Sequence, residues 1–284
     1  MAGAGLIAIK RRIKSVTNTK KITKAMGLIA TSKLRKVKAI MEFNDRYNTQ
    51  LDDIEKTIIP LIDGIPYKLI DGNSSKKKLY VIFTSDSGFC GGYNGTIVNA
   101  ALEAVKGDRE NNLIMILGQK GREYLKRFKY ETTAEYVELS DVPNMKEARA
   151  IADDAIRLFD NEEVGEVYLV YTKFMSSVKQ SPVVERLLPL ERLENENSKE
   201  SFIYEPHPKE MIDDVVKMYI RSKILNSLMT AKLSEHSARM TAMDGASKNA
   251  DDILEKLNLK YNRIRQTFIT QEITEIVGGT EAQK

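Results

Sequence analysis

Proline is confined to the middle of this chain. All seven prolines lie between Pro60 and Pro208, so the first 59 residues and the last 76 have none. Proline inside a helix removes a hydrogen bond and clashes with the preceding turn, at about 3 kcal/mol or more. Glycine is similarly placed: Leu6–Ile59 contains only Gly27, and Lys209–Val277 only Gly245. Both ends are therefore free to form very long helices. Apolar residues recur there at steps of three and four. Leu6, Ile9, Ile13 and Val16, then Ala30, Leu34, Val37 and Met41, mark the N-terminal segment. Met211, Val215 and Met218, Leu225 and Leu228, then Ile253, Leu257, Tyr261, Ile264 and Phe268 mark the C-terminal one. Such spacing lays an apolar strip along one helix face. Residues 209–277 as one helix would extend about 100 Å, with Gly278-Gly279 as the stop. A helix of that length cannot bury its strip against itself. The spacing predicts that the N-terminal helix is its mate, in an antiparallel coiled coil. Two ordinary bundle helices are the alternative, but no third long proline-free segment exists to complete a bundle.

The middle has another character. "KKLYVIFTS" (77–85), "NLIMILG" (112–118) and "EVYLVYT" (166–172) are short, continuously apolar, β-rich runs, and "VVERLLPL" (183–190) adds a further candidate strand. Helix-like stretches at Thr96–Lys106, Lys120–Phe128 and Asn144–Phe159 separate them. Alternation of this kind predicts a parallel sheet covered on both faces. The fold class is thus α/β plus long helices: a Rossmann-like α/β domain inserted between N- and C-terminal coiled-coil helices. The expected division is an N-terminal helix over 1–59, a linker over 60–75, the α/β domain over 76–205 and the C-terminal helix over 206–284.

Charge is unevenly distributed. The whole chain carries only +4, yet residues 1–41 hold eleven Lys or Arg and no Asp or Glu. Residues 42–208 hold 21 basic against 29 acidic residues. A basic arm points to nucleic acid, an anionic membrane surface or an acidic protein partner. Stacking aromatics would favour nucleic acid, and residues 1–41 contain no Phe, Tyr or Trp. A solvated charged face needs no partner at all. Apolar runs such as "LYVIF" and "LIMIL" fall far short of the ~20 residues of a membrane helix. "MAGAGLIAIKRR" lacks a signal-peptide core with a cleavage site. The expectation is a soluble chain, or one held at a membrane only through something else. The single cysteine, Cys90, permits no internal disulfide and fits a reducing compartment.

Candidate chemistry is sparse. "SDSGFCGGYNG" (85–95) follows the first strand and precedes a helix, where α/β folds bind phosphate at a helix N-terminus. It matches neither the G-x-G-x-x-G dinucleotide pattern nor the P-loop, which needs a following Gly-Lys-Ser/Thr. Its glycines fit tight turns at an exposed, partner-facing edge. Cys90 has no histidine near it in sequence to make a thiolate. His207, between Pro206 and Pro208, is expected to help end a linker, and His236 to lie on a helix surface; neither belongs to a metal-ligand pattern. The pairs Asp52-Asp53, Asp213-Asp214 and Asp251-Asp252 are adjacent, so each faces two sides of a helix. No nucleophile–base–acid set emerges, and neither a metal nor a cofactor is expected.

Three stretches carry a resemblance. "MAGAGLIAIKRRIKSVTNTKKITKAMGLIATSKLRK", "SDSGFCGGYN" and "SEHSARMTAMDGASKNADDILEKLNLKYNRIRQTFITQEITEIVGG" resemble, in this order, the signatures of the γ subunit of F-type ATP synthase. The resemblance implies a non-catalytic central rotor stalk that couples c-ring rotation to conformational change in the α3β3 hexamer. The implied partners are the α and β subunits, ε and the membrane c-ring, and the implied location is the cytoplasmic face of a bacterial cell membrane. It also implies that Met26 lies near the acidic lever loop of β, with Lys24, Lys33, Arg35 and Lys36 facing that acidic surface. Arg265, Gln266, Thr270 and Glu272 would form a catch with another β loop, and the loop of Cys90 would lie near the base of the lever. Ile269, Ile273, Ile276 and Val277 would form an apolar tip turning in a greasy sleeve. Rival readings are a nucleotide-using α/β enzyme with helical arms and a basic coiled-coil nucleic-acid binder.

Overall fold

A computed structural model describes residues 2–58, 66–177, 179–191 and 208–281. The contacts divide the chain into two compact units, one of residues 1–29 with 240–284 and one of residues 30–239. Two long helices, α1 (Ala2–Ile58) and α6 (Pro208–Glu281), contribute residues to both. The remaining elements are α2 (Lys68–Asp71), β1 (Lys78–Phe83), α3 (Tyr93–Val105), a 3-10 turn (Arg109–Asn111), β2 (Asn112–Leu117), α4 (Gln119–Arg127), β3 (Ala134–Tyr136), α5 (Met145–Asp160), β4 (Glu166–Phe174) and β5 (Gln180–Leu188). Pro60, Pro206 and His207 lie outside the described residues.

In the unit of residues 1–29 and 240–284, the half-buried residues of α1 are spaced as a heptad seam. Leu6, Ile9, Ile13, Val16, Lys20, Thr23 and Gly27 follow one another at alternating steps of three and four. On α6 the matching series is Met243, Ser247, Ala250, Leu254, Leu257, Tyr261, Ile264 and Phe268. A repeat of 3.5 residues keeps such a seam facing its mate along its whole length. Ile253, expected in the strip, is 44 % exposed; Leu254 takes its place, because only that position keeps step with Ala250 and Leu257. The pairing is antiparallel. Lys20 bonds Asp251, and a Cβ built on Gly27 would lie 3.5 Å from that of Met243, so moving up α1 means moving down α6. α6 does not stop at Gly278-Gly279 but continues to Glu281.

The unit of residues 30–239 is built on a five-stranded sheet in the order β3-β2-β1-β4-β5. β1 to β4 run parallel, and β5 pairs antiparallel with β4. Side chains alternate across the sheet with period two. Leu79, Val81 and Phe83 enter one layer with Ile151, Ala155 and Phe159 of α5, and Ile212, Val216, Ile220, Ile224 and Leu228 of α6. Tyr80 and Ile82 enter the opposite layer with Ile97, Val98, Ala101 and Val105 of α3 and Leu125 of α4. The first part of α6 is thus a core helix of the sheet. Its buried row is displaced by one residue from the Met211, Val215 and Met218 strip, of which Met211 and Val215 lie at the core's margin. Two elements carry no strong sequence signal. β3 has three residues with an exposed Glu135 at its centre, and α2, within 60–75, buries Leu69 and Ile70 in a single turn.

α5 starts at a capping box: the Asn144 side chain accepts from the Glu147 N–H, and Glu147 accepts from the Asn144 N–H. At the carboxyl ends of β1 and β2 the backbones approach closely. Gly118 has φ +93, and a Cβ there would meet the Thr84 carbonyl oxygen at 2.5 Å. Gly118→Ala is expected to cost at least about 2 kcal/mol in urea unfolding, since neither the dihedral nor the backbone neighbour can yield cheaply.

Candidate functional site

In open α/β sheets ligands bind outside the carboxyl ends of the strands, where strand order reverses. Here that point lies between β1 and β4. The segment 84–92 after β1 is held from below by Asn94, the second residue of α3. Asn94 Oδ1 accepts from the Ser85 N–H at 2.9 Å, and its Nδ2 donates to Ser85 Oγ at 2.7 Å and to Cys90 Sγ at 3.3 Å. Asp86 accepts from the N–H groups of Gln119 and Glu138, at 3.1 and 3.0 Å.

From above, α6 occupies the crevice. Ser234 Oγ donates to the Thr172 carbonyl at 2.9 Å, at the end of β4, and Ser237 Oγ to that of Ser177 at 3.2 Å. Arg239 reaches the other side. Its Nε donates to the Gly88 carbonyl at 3.1 Å, and Nη2 to the Ser87 carbonyl and hydroxyl at 2.9 and 3.1 Å. Nη1 is 2.9 Å from Glu235, whose other oxygen is 3.1 Å from Lys232 Nζ. Lys232, Glu235 and Arg239 are all under 10 % exposed. A guanidinium therefore sits against the loop carbonyls at the point where a nucleotide fold would present N–H groups to a phosphate. The α3 N-cap, Gly92, supplies no side-chain bond to the helix.

This ionic cluster is the feature that sequence reading missed. The i, i+3 and i+4 spacing of Lys232, Glu235 and Arg239 was available, but such spacing ordinarily describes a solvated helix face. His236 is corrected with it: it is 1 % exposed rather than on a helix surface, because every residue from Ala231 to Ser237 is buried. Cys90 is 2 % exposed, and burial pushes its thiol pKa upward, so it rests as a thiol. The neighbour that reaches solvent is Phe89, 68 % exposed with φ +63. Among the described residues no group of three or more His, Cys, Asp or Glu could hold a metal ion. Nor is any described helix long and apolar enough to cross a membrane.

The remaining candidates fall into two sets. Lys24, Arg35 and Lys36 are exposed, whereas Met26 is half-buried. Lys33 is bonded to Asp141 at 2.8 Å, which holds that carboxyl below its usual range despite the opposing effect of burial. Arg265, Gln266, Thr270 and Glu272 are all exposed on α6, and the Thr270 hydroxyl bonds the Gln266 carbonyl at 3.0 Å within the helix. Ile269, Ile273, Ile276 and Val277 are 46–68 % exposed. Lys24 and Met26 lie in the same unit as Arg265–Val277, and Lys33, Arg35, Lys36 and Cys90 in the other.

Two long helices and a doubly covered sheet whose crevice holds the chain's own arginine define the fold. Solved chains with this fold come from the Euglena gracilis mitochondrial ATP synthase OSCP/F1/c-ring in rotational state 3 and from the Tetrahymena thermophila central stalk/c-ring. The first has TM-score 0.72 and 18 % identity over 99 % of this chain and 95 % of that one. The second has TM-score 0.63 and 24 % identity over 80 % and 99 %. Residues 5–283 match the family model described as ATP synthase. ATP synthase gamma chains of Clostridium novyi (strain NT) and Clostridium botulinum (strain Okra / Type B1) are 50 % and 51 % identical to it, each over the whole of both chains. The chain belongs to the ATP synthase gamma family.

Arg239→Ala would leave Glu235 buried with Lys232 as its remaining ion-pair partner. Removing one member of such a cluster costs about 3–5 kcal/mol. Urea denaturation of the full chain should show a loss of that size, and a loss under about 1 kcal/mol would mean that the cluster is solvated.

Proposed function

We propose that this chain is the central rotor shaft of a bacterial F1Fo ATP synthase, passing c-ring rotation to the α3β3 hexamer and itself catalysing nothing. One observation carries the reading: the two ends of a chain half identical to gamma chains over its full length pair along a single antiparallel seam. Torque needs a member that resists twisting, and two helices locked by a shared seam resist better than one. The seam leaves the outward faces free for partners. On α1 these faces are basic, and an acidic surface on β is their natural counterpart. Exposed pairs are worth only about 0–1 kcal/mol each, which suits a shaft that meets three equivalent partners in turn and must leave each one.

The apolar residues Ile269, Ile273, Ile276 and Val277 support a bearing role, because apolar contact has no directional bonds to break during rotation. Arg265, Gln266, Thr270 and Glu272 offer the hydrogen-bonding groups of a catch on a β loop. The loop of Cys90 would meet the base of the β lever through Phe89, with Cys90 supporting it from inside. By function the chain would divide into an N-terminal arm over 1–59, a linker over 60–75 that docks a single turn on the sheet, an α/β domain over 76–205 and a C-terminal arm over 206–284 whose first part also covers that domain. Through ε and the c-ring the chain would sit at the cytoplasmic face of the cell membrane. A nucleotide enzyme is disfavoured by Arg239 in the crevice, and a nucleic-acid binder by the absence of aromatics from the basic arm.

Two experiments on the reconstituted complex test this. Met26→Lys should place a cation beside the acidic lever and lower proton pumping per ATP hydrolysed; unchanged pumping would remove the contact. Arg265→Ala combined with Gln266→Ala should lower steady-state ATPase about tenfold, equivalent to about 1.4 kcal/mol. Wild-type turnover in that variant would remove the catch.

A further inference from the structure

His236 sits inside the cluster that closes the crevice, and the proposed rotary role makes no use of it. Its Nδ1 is 3.4 Å from Arg239 Nη1. A guanidinium only donates, so Nδ1 must accept. The ring is therefore neutral, with its proton on Nε2, and Nε2 has no hydrogen-bond partner among the described residues. The charged and titratable groups of the cluster it belongs to come from five elements, among them the buried Tyr93 of α3 beside Glu235, Cys90 and Arg239. Lys232, Glu235 and Arg239 belong to α6, and Asp86 and Cys90 to the segment after β1. Asp141 belongs to the segment after β3, and its backbone faces the ring. Lys33 of α1 is already paired with Asp141. Three cations thus meet three carboxylates, and the cluster balances only while the imidazole is uncharged.

We propose that His236 is a proton-sensitive latch on the segment 84–92. A proton added at Nδ1 takes the lone pair that receives the Arg239 bond. Two donors then face each other, and a fourth cation is buried among three carboxylates. Arg239 relieves both by moving away, and its bonds to Ser87 and Gly88 are what hold the segment down. Acid therefore opens the loop that covers Cys90 and presents Phe89. Burial holds the imidazole pKa below its ordinary 6.5. The unfolded or opened chain therefore takes up the proton first. The latch is at full strength above the ordinary imidazole pKa and weakens as pH falls from there through the depressed value. The proposal is independent of the rotary role and holds for the full chain by itself.

Cys90, the only thiol, reports opening directly. The full chain is treated with 4,4′-dithiodipyridine, a disulfide that remains reactive in acid, from about pH 7.5 to about pH 5. Labelling of Cys90, taken at each pH relative to a free thiol so that the falling thiolate fraction cancels, should accelerate at least about fivefold on acidification, the effect of roughly 1 kcal/mol in an opening equilibrium. His236→Gln keeps an acceptor for Arg239 but cannot titrate, and its labelling relative to the free thiol should stay flat. A flat wild-type profile, or the same rise in His236→Gln, overturns the latch. Hydrogen exchange of peptide 84–93 in the wild type, corrected for intrinsic rates, gives a check that needs no variant. Protection should fall below about pH 6.5, and unchanged protection would also overturn it.

Discussion

The seam between the ends of α1 and α6 is the constraint from which the rest follows. Neither segment has an apolar surface wide enough for a core, and neither contains a proline to end its helix early. Each is left with one narrow strip, and pairing the two strips is the way to remove both from water. Lys20 and Thr23 interrupt the apolar series on α1, and Lys20 finds Asp251 on α6. An exposed pair adds little to stability, but a polar residue at a seam position fixes register. Without it, two repeats of the same period could slide by a heptad.

α6 solves a second problem with the same backbone. Between Ile212 and Met229 its buried row packs on the sheet, and from Ala231 to Ser237 it is enclosed on every side. A stretch that carries Lys232, Glu235 and His236 is an unusual thing to enclose. It is tolerated because each charge has a fixed partner: Glu235 between two cations, and Arg239 across the carbonyls of Ser87 and Gly88. Such clusters seldom add net stability over apolar residues of the same size. What this one supplies is placement. The arginine seals the end of the sheet where related folds take a ligand, and it holds an exposed aromatic residue, Phe89, in a backbone conformation that side chains rarely adopt.

Much of this was legible in the sequence. The proline distribution located both long helices, and the apolar runs located β1, β2, β4 and β5. The antiparallel pairing followed from the lack of any other mate. Other features were hidden for definable reasons. A core helix and a coiled-coil helix show nearly the same apolar period, so nothing in residues 208–239 announced that they cover a sheet. Ile253 and Leu254 are adjacent and equally apolar, and only the partner helix decides which turns inward. Lys232, Glu235 and Arg239 carry the spacing of a solvated face, so their burial is a tertiary fact. Cys90 and Phe89 share a loop whose geometry, not composition, sets one inside and the other out. The candidate contacts on Lys24, Met26 and Arg265–Val277 came from family resemblance, because exposed side chains declare no partner by themselves.

A disulfide measures the antiparallel register of the two ends directly. Gly27 and Met243 place their Cβ positions 3.5 Å apart, within the range of about 3.5–4.5 Å that a disulfide spans. The double variant Gly27→Cys, Met243→Cys, oxidised in the assembled complex, should form one bond within this chain in nearly every molecule. Because both helices would turn together, the complex should keep its ATP turnover. Failure of those two thiols to join, or turnover lost on oxidation and restored by reduction, would contradict a shaft built from the two chain ends.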